Sequence, residues 1–460
     1  MNGVIAPLKT ASLGDALVRR FPPLYRGFRK QLRLFEESDL ASRQALQQGL
    51  LRHALSDATR SPAYASLIGQ EIGAFPILAK EQLRSKPDDH LAGSKFLTVA
   101  AATSGSSGVP LSLRRSFSSV VFEQAALDHV VELAGADFSR DRIAVLRGGA
   151  IKDPSDMSPP FWRIDGNGRT LQFSVAHLNA KTASAFIDAL QAFSPKVLWV
   201  YPSALEMLIA CFERDGRRMH VPVVLSSSEV LADNVRARAE SLFGACVVDY
   251  YGQAERVCFA YALEAGAWRF MPAYGRVELH AIDSDDAFRY RLIATNLRNG
   301  AQPLIRYDTG DVIVMRNSLD TSGETEVAFG CMPFLRVDGR ESDYLVAPDG
   351  SRLIGMNHIP RSIPGLLQMQ LRQIETDRVV VLAVPDGLPN HTLKTAITTQ
   401  VRARLPQTMT IEVRFCEAIE REKSGKLPLV MRAPHIGTSD LGASTRVVDR
   451  GAVRSSMGVK

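Results

Sequence analysis

The chain has 460 residues, of which 45% are hydrophobic and 23% are charged. Domains commonly hold roughly 100–200 residues, so this length predicts two or three domains and argues against a single small binding module. The formal net charge of +6 comes from 55 basic and 49 acidic residues that are mixed along the chain. Because the basic residues form no long run, a solvated surface is favoured over a nucleic-acid-binding stripe.

Five cysteines stand far apart, at Cys211, Cys246, Cys258, Cys331 and Cys416. They form no CxxC pair and have no histidines at zinc spacing, which indicates a reducing compartment. Residues 1–20 lack the apolar centre of a signal peptide, and no run approaches the roughly 18–20 apolar residues of a membrane span. We therefore expect a soluble, cytoplasmic protein with no transmembrane segment. Peripheral membrane attachment and a homodimer both stay open.

The hydrophobic pattern predicts a helical lead-in followed by an α/β body. Apolar residues at helical spacing over 38–58 predict a helix that ends near Pro62. From Phe96 onward, short apolar runs alternate with amphipathic segments, which is typical of a mixed or parallel sheet covered by helices. Strands are predicted at 141–146, 196–201, 221–225 and 246–250, and helices at 180–193 (capped by Asn179), 203–214 and 232–243.

The character of the sequence changes twice in its second half. Past Tyr290, short strands are predicted at 291–295, 311–315 and 326–329. Beyond 337–340, a strand at 378–384, a helix at 393–405 and a strand at 410–415 predict a small α+β unit. We therefore place a large N-terminal domain at 1–339, with its lead-in at 1–75, and a small C-terminal domain at 340–432. The segment 433–460, rich in Gly, Ser and Thr, is expected to be a loosely ordered tail.

The segment most informative about function is 101–110, Ala-Ala-Thr-Ser-Gly-Ser-Ser-Gly-Val-Pro. Its glycines allow backbone N–H groups to converge on one point, and its hydroxyl groups add donors there, as the binding of a polyphosphate requires. It is not a Walker A loop, because no Gly-Lys-Ser/Thr ends it. A flexible Ser/Gly linker is the alternative interpretation.

Four further segments add charged groups. Glu255, at the end of Tyr-Tyr-Gly-Gln-Ala-Glu, places a carboxylate where Mg²⁺ beside phosphates needs a ligand, although a surface-loop glutamate is the alternative. Asp311 follows a Thr-Gly turn and offers an acceptor for two ribose hydroxyls. Arg340 stands beside a glycine at the proposed domain boundary, where a plain linker would look similar. Lys426, in Glu-Lys-Ser-Gly-Lys, can offset charge on a phosphate, although most lysines in such loops are simply solvated.

In this order, the five segments resemble the adenylate-forming ligase superfamily, which contains acyl-CoA synthetases, adenylation domains and luciferases. Within it, the segments 75–80, 200–205 and 226–231 are similar to the phenylacetate-CoA ligase branch and its CapK-like members. The resemblance extends over residues 45–432. It implies a large N-terminal α/β domain with mixed sheets and a small, mobile α+β C-terminal lid domain.

The resemblance also implies roles for individual residues. Mg²⁺ would be bound by Glu255, and Lys426 would be the catalytic lysine. The ribose would be bound by Asp311 with Arg340. The ATP phosphates would be held by Thr103, Ser104, Gly105, Ser106, Ser107 and Gly108. The adenine would lie near Ser227, Ser228 and Glu229, and the space between nucleotide and acid would be lined by Tyr250, Tyr251 and Gly252. The acid pocket would be bordered by Tyr201 and His177, for which a satisfied core histidine is an equal interpretation.

The implied activity is ATP-dependent conversion of a carboxylic acid, with aryl acids expected, into an acyl-adenylate with release of pyrophosphate. The acyl group would then pass to the thiol of coenzyme A or of a phosphopantetheinyl carrier protein. An amine acceptor, which would make an amide-forming ligase, and a non-catalytic nucleotide-binding member of a biosynthetic complex are the alternatives. Two residues depart from the pattern of the superfamily and bear on the choice among these activities. Ala254 replaces the hydroxyl that usually precedes the Mg²⁺ ligand, and Ser342 replaces the usual Asp or Lys hinge, a role open to Asp343.

Overall fold

A computed structural model describes residues 18–102, 111–148, 151–153, 155–165, 168–179, 181–282, 288–340, 344–350, 352–353, 356, 359–360, 363–421, 426–433 and 436. Three predicted segments lie outside the described residues. They are the hydroxyl-rich segment Thr103–Gly108, the predicted hinge positions Ser342 and Asp343, and the predicted tail from 437 onward. The roles given to these segments stay predictions.

The described chain contains both helices and strands, which alternate regularly only through residues 170–252. The helices are α1 (Pro22–Glu37), α2 (Leu40–Ala58), α3 (Lys80–Ser85), α4 (Phe117–Leu133), α5 (Ala183–Phe193), α6 (Pro202–Arg214), α7 (Asp233–Phe243), α8 (Thr321–Ala328) and α9 (His391–Arg402). The strands are β1 (Val99–Ala102), β2 (Ser112–Arg115), β3 (Ile143–Leu146), β4 (Trp162–Asp165), β5 (Thr170–Phe173), β6 (Val197–Val200), β7 (Val223–Ser227), β8 (Cys246–Gly252), β9 (Phe259–Ala262), β10 (Arg269–Phe270), β11 (Gly275–Ile282), β12 (Phe288–Asn296), β13 (Tyr307–Met315), β14 (Arg336–Arg340), β15 (Leu345–Val346), β16 (Arg352–Leu353), β17 (Leu366–Glu375), β18 (Arg378–Pro385), β19 (Thr410–Phe415) and β20 (Val430–Arg432).

The lead-in consists of α1 and α2. Helix α1 begins at Pro22, because a proline ring has the φ of a helix and lacks only an N–H that the first turn does not need. Helix α2 begins after Asp39, whose side chain accepts a hydrogen bond from the backbone N–H of Ser42. The helix predicted at 38–58 is therefore confirmed. Helix α1, which buries Leu32 and Phe35 in the same apolar cluster as α4, was not predicted.

The main sheet has the strand order β10-β9-β8-β7-β6-β3-β5-β4. Strands β5, β3, β6, β7 and β8 are parallel to their neighbours within this run, and the outer pairs are antiparallel. Helices α5, α6 and α7 cover one face, and α1 and α4 cover the other. Because both faces are buried, the inner strands are continuous apolar runs, which explains why their positions could be predicted. All their carboxyl ends meet at one edge.

Helix α5, which precedes β6, starts three residues later than the predicted helix at 180–193. Asn179 accepts hydrogen bonds from the N–H groups of Lys181 and Thr182 in a turn, and α5 begins only at Ala183. The side chain of Asn179 therefore closes the turn that precedes the helix, and Thr182 is the N-cap residue.

A second, antiparallel sheet has the order β11-β12-β13-β14. The strands predicted at 291–295 and 311–315 lie within β12 and β13. The strand predicted at 326–329 is wrong, because this segment belongs to α8. The side chain of Asp320 accepts a hydrogen bond of 2.7 Å from the N–H of Gly323 and starts the helix, and a short apolar run is compatible with either structure.

The small C-terminal domain is a sheet of order β19-β18-β17-β20 with helix α9 against it. Its predicted strands and helix correspond to β18, α9 and β19. Its Leu367, Val384 and Ile419 share one apolar cluster with Leu205 and Leu208 of α6, so it is docked on the large domain. The α/β fold with a large N-terminal and a smaller C-terminal domain is confirmed. None of the helices in the described part of the chain combines the length and apolar character that a membrane span needs.

Candidate functional site

Glu255 lies just beyond β8 and is only 4% exposed. Its Oε1 accepts a hydrogen bond of 2.9 Å from the phenol of Tyr307 and lies 3.6 Å from the ammonium group of Lys80. Its Oε2 is buried and has no hydrogen-bond partner among the residues that the structure describes. Leaving a buried acceptor unsatisfied costs about 1–3 kcal/mol, and more if it is charged. The open oxygen therefore fits a cation ligand, and Mg²⁺ is commonly held by one or two carboxylates together with substrate phosphates.

Lys80 and Tyr307 are site residues to which no role was assigned from the sequence. The backbone of Leu78 pairs with the start of β13, through bonds of 3.0 Å to Arg306 O and from Asp308 N. This pairing sets the first residue of α3, Lys80, beside the first residue of β13, Tyr307. The sequence signal that could have revealed Lys80 was the segment Phe-Pro-Ile-Leu-Ala-Lys. This segment contributed to the family resemblance, but no chemical role was predicted for its lysine.

Asp311 lies on β13 and is 3% exposed. Its Oδ2 accepts a hydrogen bond from the phenol of Tyr251, and Gln253 donates a bond of 2.9 Å to that phenol oxygen. Burial, with the neighbouring negative charge of Asp311, raises the pKa of Tyr251 well above its ordinary value. The phenol is thus a permanent donor that orients the carboxylate. Arg340 is opposite Asp311 in the β13–β14 register, and the structure does not describe its side chain.

The carboxyl ends of β7 and β8 meet at the guanidinium of Arg147, which follows β3. Its Nη1 donates to the hydroxyl of Tyr250 at 2.8 Å and to that of Ser227 at 3.3 Å. Its Nη2 donates to the hydroxyl of Ser228 at 3.4 Å. Ser228 has a φ of 74°, a left-handed conformation that is uncommon for serine and turns the chain sharply after β7. The predicted nucleotide residues Ser227, Ser228 and Tyr250 are therefore brought together.

The same guanidinium lies over two aromatic rings. Its central carbon is 4.3 Å from the ring centre of Trp199 and 5.3 Å from that of Tyr201. Such stacking contributes about 0.5–2 kcal/mol and fixes the plane of the guanidinium. Arg147 was not predicted as a site residue. The only signal in the sequence was a basic residue directly after a predicted strand, at the edge of a parallel sheet where ligands commonly bind.

Glu229 connects the two domains. Its Oε2 accepts a hydrogen bond of 2.9 Å from the N–H of Ser203, in the first turn of α6. Its Oε1 accepts one of 2.8 Å from the N–H of Leu427 in the small domain. The carboxylate predicted to lie near the adenine is therefore bound to backbone groups on both sides of the domain interface. The contact brings Lys426, the neighbour of Leu427, to the residues that follow β7.

A second group of contacts closes this interface. The guanidinium of Arg421 donates a bond of 2.8 Å to the hydroxyl of Ser203 and lies 3.9 Å from Oε1 of Glu229. Gln368 donates a bond of 3.3 Å to the carbonyl of Ser203. Burial lowers the pKa of Arg421, against the effect of the Glu229 charge. The backbone at Leu427, next to Lys426, is thus held at the interface by polar contacts as well as by apolar packing.

His177 is fully buried. Its Nδ1 lies 2.6 Å from the hydroxyl of Ser174, its Nε2 lies 3.2 Å from the carbonyl of Asp153, and its ring stacks on Phe161 at 5.4 Å. Both ring nitrogens are therefore engaged by the protein. This geometry corresponds to the core-histidine interpretation and leaves neither nitrogen for a substrate. Tyr201, the other predicted pocket residue, lies under Arg147.

The model of the CapK C-terminal domain family matches residues 345–433. Protein CapK of Staphylococcus aureus is 21% identical over 362 residues, which make up 77% of this chain and 79% of that protein. Two crystal structures of 2-hydroxyisobutyryl-CoA ligase in the postadenylation state, in complex with 2-HIB-AMP and with R3-HIB-AMP, have TM-scores of 0.55 and 0.56 at 14% identity. Each match covers 88% of this chain and 92% of the ligase. Residues 345–433 therefore match the CapK C-terminal domain family, and the chain has the fold of the solved 2-hydroxyisobutyryl-CoA ligase.

Proposed function

We propose that this protein uses ATP to convert a carboxylic acid into an acyl-adenylate and releases pyrophosphate. The observation that carries the proposal is the carboxylate of Glu255, buried beside Lys80 with one oxygen to which no described residue donates a hydrogen bond. A buried anionic oxygen of this kind is costly unless a ligand completes it. Magnesium bound there would neutralise phosphate charge.

The nucleotide would lie along the edge where the two sheets meet. Tyr251 at the end of β8 and Asp311 on β13 join the sheets through one hydrogen bond, and Asp311 would accept hydrogen bonds from the ribose. Strands β1 and β2 pair up to Ala102 and Ser112, and the segment Thr103–Gly108, which joins them in the sequence, would supply donors to the phosphates. The Ser227–Ser228 turn would border the adenine.

The acid would be activated by in-line displacement. An oxygen of its carboxylate attacks the α-phosphorus of ATP, the bond from that phosphorus to the bridging oxygen breaks, and pyrophosphate leaves with its electrons. Lys426 would offset the charge that develops on the phosphate. The Glu229–Leu427 bond supports this role, because it holds the lysine's neighbour next to the Ser227–Ser228 turn.

The acyl group would then pass to a thiol, of coenzyme A or of a phosphopantetheinyl carrier protein, and the expected acid is an aryl acid. The similar solved structures support a thiol acceptor, since the enzyme in them is by name a CoA ligase. An amine acceptor would give an amide from the same adenylate. The competing function is non-catalytic nucleotide binding, which Ala254 favours because it supplies no hydroxyl next to Glu255.

Exchange of labelled pyrophosphate into ATP, measured with a panel of aryl and aliphatic acids, tests the adenylation. We expect exchange with at least one acid, loss of exchange in Lys426→Ala with ATP binding retained, and loss in Glu255→Gln. Glu264→Gln, at an exposed position of the same domain, is the matched control. Absence of exchange with every acid, together with ATP binding by calorimetry, would establish the non-catalytic function instead. Mass spectrometry of products formed with coenzyme A or with amines identifies the acceptor.

A further inference from the structure

Positive charge is concentrated in the segment 18–35, which contains most of helix α1. This segment has six basic and no acidic side chains, and its basic residues are Arg19, Arg20, Arg26, Arg29, Lys30 and Arg33. Elsewhere in the chain, basic and acidic residues are mixed and nearly balanced, at 55 and 49 in total. Like charges on one helix repel one another, so anions from neighbouring elements or from a partner stabilise such a segment.

The neighbouring helix α4 supplies only part of this negative charge. Asp128 pairs with Arg20 at 2.6 Å. Glu132 is shared between Arg29 and Arg33, and its distance to Arg33 is 2.8 Å. Two carboxylates of α4 therefore pair with three cations, and the surface around α1 keeps a positive charge.

Two rows of side chains lie next to each other on the exposed side of α1. Arg26, Lys30 and Arg33 form a basic row at helical spacing. Arg26 and Lys30 are exposed, and neither has an ion-pair partner among the residues that the structure describes. The second row borders a mostly apolar groove, where Leu34 is 47% exposed. The groove is lined by Pro23, Leu24, Gly27, Phe28, Lys30, Gln31 and Leu34.

The beginning of α1 adds exposed apolar surface. Phe21, the residue before the helix, packs its ring against that of Phe117 at 5.7 Å, and both rings remain partly exposed, as does Val18. A surface helix usually packs one apolar stripe inward and presents polar residues to water. Helix α1 packs Leu32 and Phe35 inward and still exposes a second apolar strip. Exposed apolar strips bordered by charged residues mark interaction sites.

From this combination we infer that helix α1 binds to the surface of a membrane that contains anionic lipids. The helix would lie in the plane of the headgroups, with Leu34 and the groove toward the acyl chains. Arg26 and Lys30 are long enough to extend from there to the lipid phosphates. The inference is independent of the proposed function, because it uses no residue of the nucleotide site.

The same face fits other partners less well. A second copy of the chain would bring its own basic row to a symmetric contact, and the two rows would repel each other. An acidic protein would meet the charge, but it would also need an apolar surface shaped to the strip. Lipids adapt their packing to an apolar strip of any shape, so charge and apolar surface together favour a membrane.

Co-sedimentation of the full chain with lipid vesicles tests the inference. The vesicles contain either phosphatidylcholine alone or phosphatidylcholine mixed with phosphatidylglycerol. We expect the wild type to bind only the anionic vesicles, and the binding to weaken as the sodium chloride concentration rises.

Two variants separate the charge from the apolar strip. Arg26→Gln with Lys30→Gln should lower the partition coefficient by about 25-fold, since each basic residue near an anionic membrane contributes about five-fold. Leu34→Ser should lower it by about five-fold, because roughly half of a leucine side chain is no longer buried in lipid. The matched control is Lys394→Gln with Arg404→Gln, which removes the same charge from exposed positions of the small domain and should bind like the wild type.

Three outcomes overturn the inference. The first is that the wild type fails to bind anionic vesicles, or that the Arg26→Gln/Lys30→Gln variant binds them equally well. The second is an equal loss in the Lys394→Gln/Arg404→Gln control, because net charge and not α1 would then govern the attraction. The third is a loss with the α1 charge variant but none with Leu34→Ser, which would indicate an acidic macromolecule as the partner. All substituted side chains are exposed, so thermal unfolding of the variants should match that of the wild type.

Discussion

Replacing Glu229 by Gln probes how the small domain is held on the large one. The carboxylate accepts two backbone N–H bonds, of which the bond to Leu427 crosses the interface. A hydrogen bond to a charged group contributes about 1.5–3 kcal/mol net. Gln keeps one acceptor but turns an NH₂ toward the second N–H group, and it removes the charge 3.9 Å from Arg421. Docking should therefore weaken by roughly 10–100-fold.

Hydrogen exchange followed by mass spectrometry measures this change directly. Peptides that contain Leu427 should exchange faster in Glu229→Gln by that factor, and the adenylation rate should fall with them. The matched control is Glu417→Gln, because Glu417 pairs with Lys181 across the same interface at 2.6 Å but is 79% exposed. Exposed pairs contribute little, so this variant should resemble the wild type. Equal exchange in Glu229→Gln and wild type, or equal acceleration in both variants, would refute the assignment of docking to Glu229.

Three further predictions concern single side chains. Tyr251→Phe removes the donor that orients Asp311 and should weaken AMP binding by about 10-fold in calorimetry, whereas unchanged affinity would remove Asp311 from the ribose site. Burial raises the pKa of Glu206 from 4.5 to about 8, so the stability from its neutral carboxyl is complete below pH 4.5 and is lost as the pH rises through 8. Urea unfolding should therefore find Glu206→Gln more stable than the wild type at pH 8 by about 2–4 kcal/mol and similar at pH 4.5, and a constant difference would contradict the shift. Gly275→Ala should lower the free energy of unfolding by about 3 kcal/mol, since its Cβ would overlap a backbone carbonyl oxygen, whereas Gly49→Ala in α2 has open space and should be neutral or stabilising.

The parallel strands and their helices could be predicted because burial on two faces makes each strand an apolar run. Strand β17 could not, because Gln368, Gln370 and Gln373 interrupt its apolar residues. All three are buried, and their amides donate to carbonyl groups, those of Gln370 and Gln373 to Pro428 and Val346. Partners distant in sequence thus satisfy polar groups that a local pattern assigns to the surface.

The candidate site residues divide in the same way, into those that a local motif reveals and those that only the tertiary structure reveals. Glu255 and Asp311 were recognised because each stands in a short motif, and their burial supports the interest in them. Lys80 and Arg147 acquire their positions only from tertiary structure, through the Leu78 pairing with β13 and through the convergence of four strand ends. No local spacing contains that information. For Glu229 the position near the adenine stays a prediction, and its contacts with the small domain could not be foreseen without the docked structure.

The contacts among Lys80, Glu255 and Tyr307 also bear on how the protein folds. These residues come from the segment after the lead-in, from the end of the main sheet and from the second sheet, so their contacts are of high sequence separation. Contacts of this kind carry a loop-closure cost that must be met before they stabilise the fold, so they require the rest of the chain to be in place. Under the proposed function, a nucleotide with magnesium would bind only the completely folded molecule and would stabilise it by mass action. Retention on immobilised ATP could therefore separate fully folded chains from incompletely folded ones during purification.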